Sequence, residues 1–177
     1  MSIDRRLLHT EQAYVDVRTE QWNVPNLVLD GKLFERLLDL ELKRSLRYQS
    51  FTSLLLMEAN QDKGKFREHT QASLLEKMAQ LFRKELRETD IIGTGEGFMK
   101  VILIHADKHI ARRVGERLLS WVSNYYGLTE IAGRCCFNMG GACFPSHATD
   151  TRGLLQKAGA MLERSRQHGG NHLCVSD

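Results

Sequence analysis

Three glycines alternate at Gly93, Gly95 and Gly97 in the stretch DIIGTGEGFMKVILI, residues 90–104, just ahead of an apolar run. Glycines spaced this way can bring a backbone close to a phosphate, and an acid or a lysine beside them would complete such a site. Phe98 and Met99 stand there instead. The histidines, among them His105, His109, His147, His168 and His172, are assigned no metal role. Cys135, Cys136, Cys143 and Cys174 form no Cys-x-x-Cys pair and lie in apolar, strand-like contexts. They read as buried, reduced thiols, without a metal or disulfide role.

The chain that must position these residues has 177 of them, enough for one domain with its own core. A net charge of +3 gives no concentrated basic face, so nucleic acid is not an expected partner. No apolar stretch is long enough to span a bilayer, and MSIDRRLLHT lacks the apolar centre of a signal peptide. The expected location is cytoplasmic.

Residues 1–22 read as a lead-in or linker helix, and residues 23–30, with Pro25, as an irregular approach to the domain at 23–177. Helical apolar spacing runs from Lys32 to Tyr48, from Gln71 to Leu86, from Ile110 to Tyr125 and from Leu154 to Leu162. Strands are expected at 51–57, 90–92, 98–104, 134–144 and 172–175, with a glycine-rich turn between the second and third. Gly140–Gly141 interrupts the fourth, which implies a bulge or a close backbone approach. The order contains a βαββαβ unit, and helices covering one side of a sheet would bury it. The fold class is therefore α+β, with a ferredoxin-like core and a mixed sheet flanked by helices.

Several strings, in order, resemble the GGDEF domains, the diguanylate cyclases that join two GTP molecules into cyclic di-GMP. AGAMLERSRQHGGN (158–171) is similar to the family's A-D-x-A-L-Y-x-A-K-x-x-G-R-N helix and turn, NMGGACFP (138–145) to its S-I-G-V-A-x-x-P strand, and LRETD (86–90) to the approach to its signature hairpin. The resemblance runs from about Asn23 to Val175. It implies the nucleotide-cyclase fold and a bacterial signalling role.

Carried over residue by residue, the signature falls on Glu96, Gly97, Phe98, Met99 and Lys100. Phe98 and Met99 replace the cation-binding and catalytic acids, and neither has an oxygen for Mg²⁺. Glu96 replaces a glycine and puts a negative charge where a triphosphate would sit. The other half of the metal site falls on Glu58-Ala59-Asn60, and Glu58 alone cannot organise two-cation phosphoryl transfer. The base-reading pair falls near Phe66 and Arg67, the phosphate-contacting lysine becomes Arg166, and the arginine of G-R-N becomes Gly170. These departures imply a degenerate, inactive domain with no catalytic residues, no metal and no cofactor.

The resemblance also supplies a second site. Arg87-Glu88-Thr89-Asp90 matches the family's R-x-x-D product-inhibition motif, and Arg117 or Arg113 of the next helix would add a second arginine. An arginine fork grips phosphate or a guanine edge, and a carboxylate accepts from guanine N–H groups. The expected function is a cyclic di-GMP receptor module acting on a protein partner or its own dimer mate. Three alternatives stay open: Arg87 and Asp90 as a surface ion pair worth at most ~1 kcal/mol, a ligand-independent interaction domain using the altered hairpin surface around Glu96–Lys100, where Phe98 and Met99 are either an exposed contact pair or core, and residual cyclase activity. Glu96 and Lys100 are expected in a solvated turn.

Overall fold

The structure, a computed structural model, describes residues 28–61, 68–124 and 135–177; the lead-in at 1–22, Pro25, Phe66, Arg67 and Tyr125 lie outside them. The described elements run α1 (Gly31–Tyr48), β1 (Thr52–Gln61), α2 (Glu68–Phe82), β2 (Ile91–Gly95), β3 (Phe98–Ile104), α3 (Lys108–Asn124), β4 (Cys135–Phe144), α4 (Thr151–Arg166) and β5 (His172–Val175). This is the order expected from the sequence, with β1 reaching four residues further than its apolar run.

The five strands form one mixed sheet in the order β2-β3-β1-β4-β5. β1 lies at its centre, antiparallel to both β3 and β4, while β5 joins β4 in parallel. Side chains of β1 alternate between two cores. Leu55, Met57 and Ala59 pack with Leu75, Met78 and Phe82 of α2 and Leu118 and Val122 of α3. Leu54 and Leu56 pack with Phe34 and Leu38 of α1 and Leu154, Ala158 and Leu162 of α4. Helices therefore cover both faces, not one. The continuous apolar run of β1 requires this, because a strand apolar on both faces must be covered on both.

Local chemistry sets the helix starts. The Asp30 side chain accepts from the Leu33 N–H at 2.9 Å to cap α1, and Asp150 accepts from the Gly153 N–H at 2.7 Å to cap α4. Gly140 sets how closely α4 approaches the sheet. β4 is unbroken there, with Leu56 opposite Gly140 and Leu55 opposite Gly141, so the bulge is absent and the close approach is real. A Cβ on Gly140 would lie 2.2 Å from the Leu162 nitrogen and 2.3 Å from the Ala158 oxygen. The α4 backbone rests directly on the strand.

The hairpin also differs from its sequence reading. Gly93 and Gly95 belong to β2, and the turn is only Glu96-Gly97, with φ of 56° and 80°. Two positive φ values make the tight turn whose twist suits adjacent strands. Gly93 serves packing instead: a Cβ there would meet the Phe34 ring at 2.7 Å and the Leu29 oxygen at 3.0 Å.

Gly140→Ala is expected to destabilise the domain by ~2 kcal/mol or more in urea unfolding. Gly159→Ala, beside Ala158 on α4 but with open space around it, should stabilise by ~0.5–1 kcal/mol through helix propensity. Equal effects would contradict the packing at Gly140.

Candidate functional site

The α1/α4 face of the sheet carries a buried carboxylate at the end of β1. Glu58 is buried, at 3% exposure, and it is not left unanswered. Its Oε1 accepts from Asn60 Nδ2 at 2.7 Å, from Asn138 Nδ2 at 3.3 Å and from Arg166 Nε at 2.7 Å, while Oε2 accepts from Arg166 Nη2 at 2.5 Å. The guanidinium comes from the last turn of α4, which Gly140 has let down onto the sheet. This two-point fork is the strong geometry for an arginine and a carboxylate. Arg166 also reaches Glu163, and these carboxylates hold its pKa above the usual arginine range.

Arg166 keeps the charge of the family's phosphate-contacting lysine but does not stand free for a phosphate. It is committed to Glu58 instead. Asn138, which the sequence reading left unassigned, completes the arrangement from the neighbouring strand; the register Glu58 opposite Asn138 is the signal that finds it. The Asn138 Oδ1 is buried without a partner, yet turning the amide over would set an oxygen against Glu58, so the donating orientation is the consistent one.

The signature residues fall close by on the hairpin. Met99 is fully buried in the α2/α3 core, and Phe98 is partly buried against the α1/α4 core. They do not form an exposed pair; strand alternation sends them to opposite faces, each covered by helices. Lys100 is a second correction. It lies in β3, not in the turn, and its side chain is 4% exposed, with the ammonium 3.6 Å from Glu35 and 3.4 Å from Glu96. Glu96 itself is exposed, as expected.

The divalent cation that the resemblance implies does not fit these residues. Mg²⁺ demands several oxygen ligands in near-octahedral array. Of the positions on which the metal site falls, only Glu58 carries a carboxylate, and it is already held by four hydrogen bonds. Phe98 and Met99 supply no ligand oxygen.

The second region lies between the α2–β2 loop, the end of β3 and α3. A cavity of about 170 Å³ is lined there by Arg87, Asp90, Arg117, Leu103, Ile110 and Val114, among others. The structure thus brings Arg87, Asp90 and Arg117 together; Arg113 does not line the cavity. Asp90 is buried, its Oδ2 accepting from the Arg87 N–H at 3.1 Å and its Oδ1 from the Ile104 N–H at 3.2 Å. Among the described residues no ion pair joins the Arg87 guanidinium to Asp90. The surface ion pair is replaced by a closed turn, in which the Asp90 N–H also donates to the Arg87 oxygen at 3.0 Å. Arg83, missed in the sequence, clamps this turn through the Arg87 and Asp90 carbonyls. Arg117 Nη2 donates to the Glu85 oxygen at 2.7 Å, which holds it beside Arg87 with most of its five donors unspent.

Burial pushes the thiols of Cys135 and Cys143 up from their ordinary values. Cys136 and Cys174 are only half-buried, which departs from the expectation of four buried thiols. At the α4–β5 turn, His168, His172 and Cys174 come together. The four-residue spacing of His168 and His172 is the sequence signal for that group.

No family model matches the chain, and no curated protein does. Solved structures do. The GGDEF domain of TpbB (YfiN) from Pseudomonas aeruginosa superposes with a TM-score of 0.72 at 18% identity, over 88% of this chain and 94% of that one. The coiled coil and GGDEF domain of DgcB from Caulobacter crescentus, in complex with c-di-GMP, gives 0.71 at 16%, over 96% and 91%. The active GGEEF domain of a diguanylate cyclase from Vibrio cholerae gives 0.70 at 12%, over 85% and 99%. The chain has the GGDEF-domain fold. No helix among the described residues is long and apolar enough to cross a membrane.

Removing Arg166 strands a buried carboxylate, whereas removing the charge of Glu58 leaves an arginine that still has Glu163 and solvent. Arg166→Met is therefore expected to cost about 2 kcal/mol or more, and Glu58→Gln about 1 kcal/mol, in denaturant unfolding. The reverse order would contradict the geometry.

Proposed function

We propose that this domain is a catalytically inactive GGDEF module that binds cyclic di-GMP through Arg87, Asp90 and Arg117. The carrying observation is the joint placement of two arginines and a carboxylate around one cavity, on a fold whose solved examples include a complex with that ligand. At about 170 Å³ the cavity is below the ~300 Å³ of most small-molecule pockets, so it takes a base or a phosphate and leaves the rest of a dinucleotide outside. Arg87 is the gripping fork. Arg117, braced by the Glu85 oxygen, supplies the second positive charge. Asp90 spends one acceptor direction of each oxygen on the loop, so its first role is to hold the loop; the directions left over face guanine N–H groups.

Inactivity rests on the other face of the sheet. Phosphoryl transfer requires cations bridging the phosphates, and the carboxylate that would bind one is occupied by Arg166. A protein-binding patch on the hairpin would have to use Glu96, Gly97 and the partly buried Phe98, because Met99 and Lys100 are buried. A protein or a second copy of the domain is then the reader of the ligand-bound state, in the cytoplasm.

In titration calorimetry, cyclic di-GMP is expected to bind, with Arg87→Ala weakening it by roughly tenfold or more and Arg117→Ala by less. Absence of heat at high-micromolar ligand, or unchanged binding by Arg87→Ala, would reject the reading. With radiolabelled GTP and Mg²⁺ or Mn²⁺ no cyclic product is expected; conversion abolished by Glu58→Ala would show a working cyclase.

A further inference from the structure

The turn between α4 and β5 assembles three side chains that neither the nucleotide reading nor the packing uses. Gly169, Gly170 and Asn171 all have positive φ, at 90°, 91° and 52°, and reverse the chain within a few residues. That reversal brings His172, the first residue of β5, beneath His168. The two imidazoles stack with centroids 4.5 Å apart and planes 10° from parallel. Cys174 follows two residues along β5, on the same face as His172, with its Sγ 3.6 Å from His172 Nδ1. One ligand atom from each of the three lies within 4.8 Å of the others.

The frame around them is fixed. Ser165 Oγ donates to the His172 oxygen at 2.5 Å, and the Phe137 N–H donates to Asn171 Oδ1 at 2.9 Å, tying the turn to both α4 and β4. His168 Nδ1 lies 2.8 Å from the Arg164 oxygen. A carbonyl only accepts, so Nδ1 carries the proton and Nε2 presents its lone pair. A histidine ligand is commonly oriented by such a bond from its other nitrogen.

We infer that His168, His172 and Cys174 form a transition-metal site of the zinc class, with three protein ligands and a fourth position open to solvent. Two imidazoles and one thiolate are the donor set that zinc accepts, and a hard ion such as Mg²⁺ would not choose it. Ligand atoms around tetrahedral zinc stand roughly 3.3–3.7 Å apart, given bonds of about 2.0–2.3 Å. The group must therefore close by about an ångström from its widest separation. Parallel rings do not aim their lone pairs at one point, so the exposed His168 ring tilts out of the stack as the ion binds, pivoting on its bond to the Arg164 oxygen. The ion would cross-link the end of α4 to the outermost strand of the sheet.

Cys136 tests the choice of thiol. It flanks the same turn, since a Cβ on Gly170 would lie 2.8 Å from its Sγ, but it stands outside the group. Protein freed of any affinity tag and stripped with chelator would be titrated with Zn²⁺ against a chromophoric competitor, then loaded with Co²⁺. The expected result is one ion per chain, with tetrahedral ligand-field bands and a sulfur-to-cobalt charge-transfer band. Cys174→Ser should abolish the charge-transfer band, and His168→Ala and His172→Ala should each weaken Zn²⁺ by roughly tenfold or more. Cys136→Ser should change neither, and circular dichroism would check that each variant folds. No binding above the competitor, binding indifferent to His172→Ala in a folded variant, or a thiolate band lost in Cys136→Ser would overturn the site. None of these outcomes depends on cyclic di-GMP.

Discussion

A carboxylate carried into a protein interior needs a positive charge and enough donors to replace its lost water, and the α1/α4 side of this domain is arranged around that need. Glu58 is brought inside because β1 is the central strand and both of its faces are covered. Three elements then converge on it: Asn60 from its own strand, Asn138 from β4 and Arg166 from the end of α4. Arg166 can reach only because α4 lies unusually close to the sheet, and α4 lies close only because position 140 has no side chain. One missing methyl group on β4 and one buried charge on β1 are thus parts of a single device.

The electrostatic result resembles what a bound cation would produce at the same carboxylate. Negative charge is neutralised by a planar group fixed at two points, with two amide donors added at Oε1. A guanidinium, however, cannot exchange water, bridge phosphates or polarise a leaving oxygen. On the same face Lys100 is also internally matched, by Glu35 and Glu96. Arg87 and Arg117 differ in kind: both are exposed, both border a cavity, and neither pairs with a carboxylate among the described residues. Unspent positive charge is gathered there, in contrast to the paired charges on the α1/α4 side.

Much of this was legible from residue order. Apolar periodicity located all four described helices, and the alternation of helices and strands gave the βαββαβ core. What sequence could not convey was which face a residue meets. Alternation alone leaves open whether Phe98 and Met99 face outward or inward, and the register sends one toward each core. Lys100 looked like a turn residue because three glycines precede it, but only Glu96 and Gly97 make the turn. Gly140 read as either a bulge or a close approach, and only the position of α4 distinguishes them. The Arg87–Asp90 spacing was visible, whereas Arg83, which braces the turn through backbone carbonyls, leaves no mark in a motif of side chains. The group at the α4–β5 turn depends on three successive left-handed residues, whose conformation is not evident from an apolar pattern.

The claim on which this account turns is that the guanidinium of Arg166 holds the place of a cation at Glu58. The most direct measurement is electron paramagnetic resonance of Mn²⁺ titrated into the protein with GTP present, comparing wild type with Glu58→Gln. Any Mn²⁺ the protein retains, including at the α4–β5 turn, is expected to be the same in both proteins. Stoichiometric Mn²⁺ binding in the wild type that disappears in Glu58→Gln would contradict it.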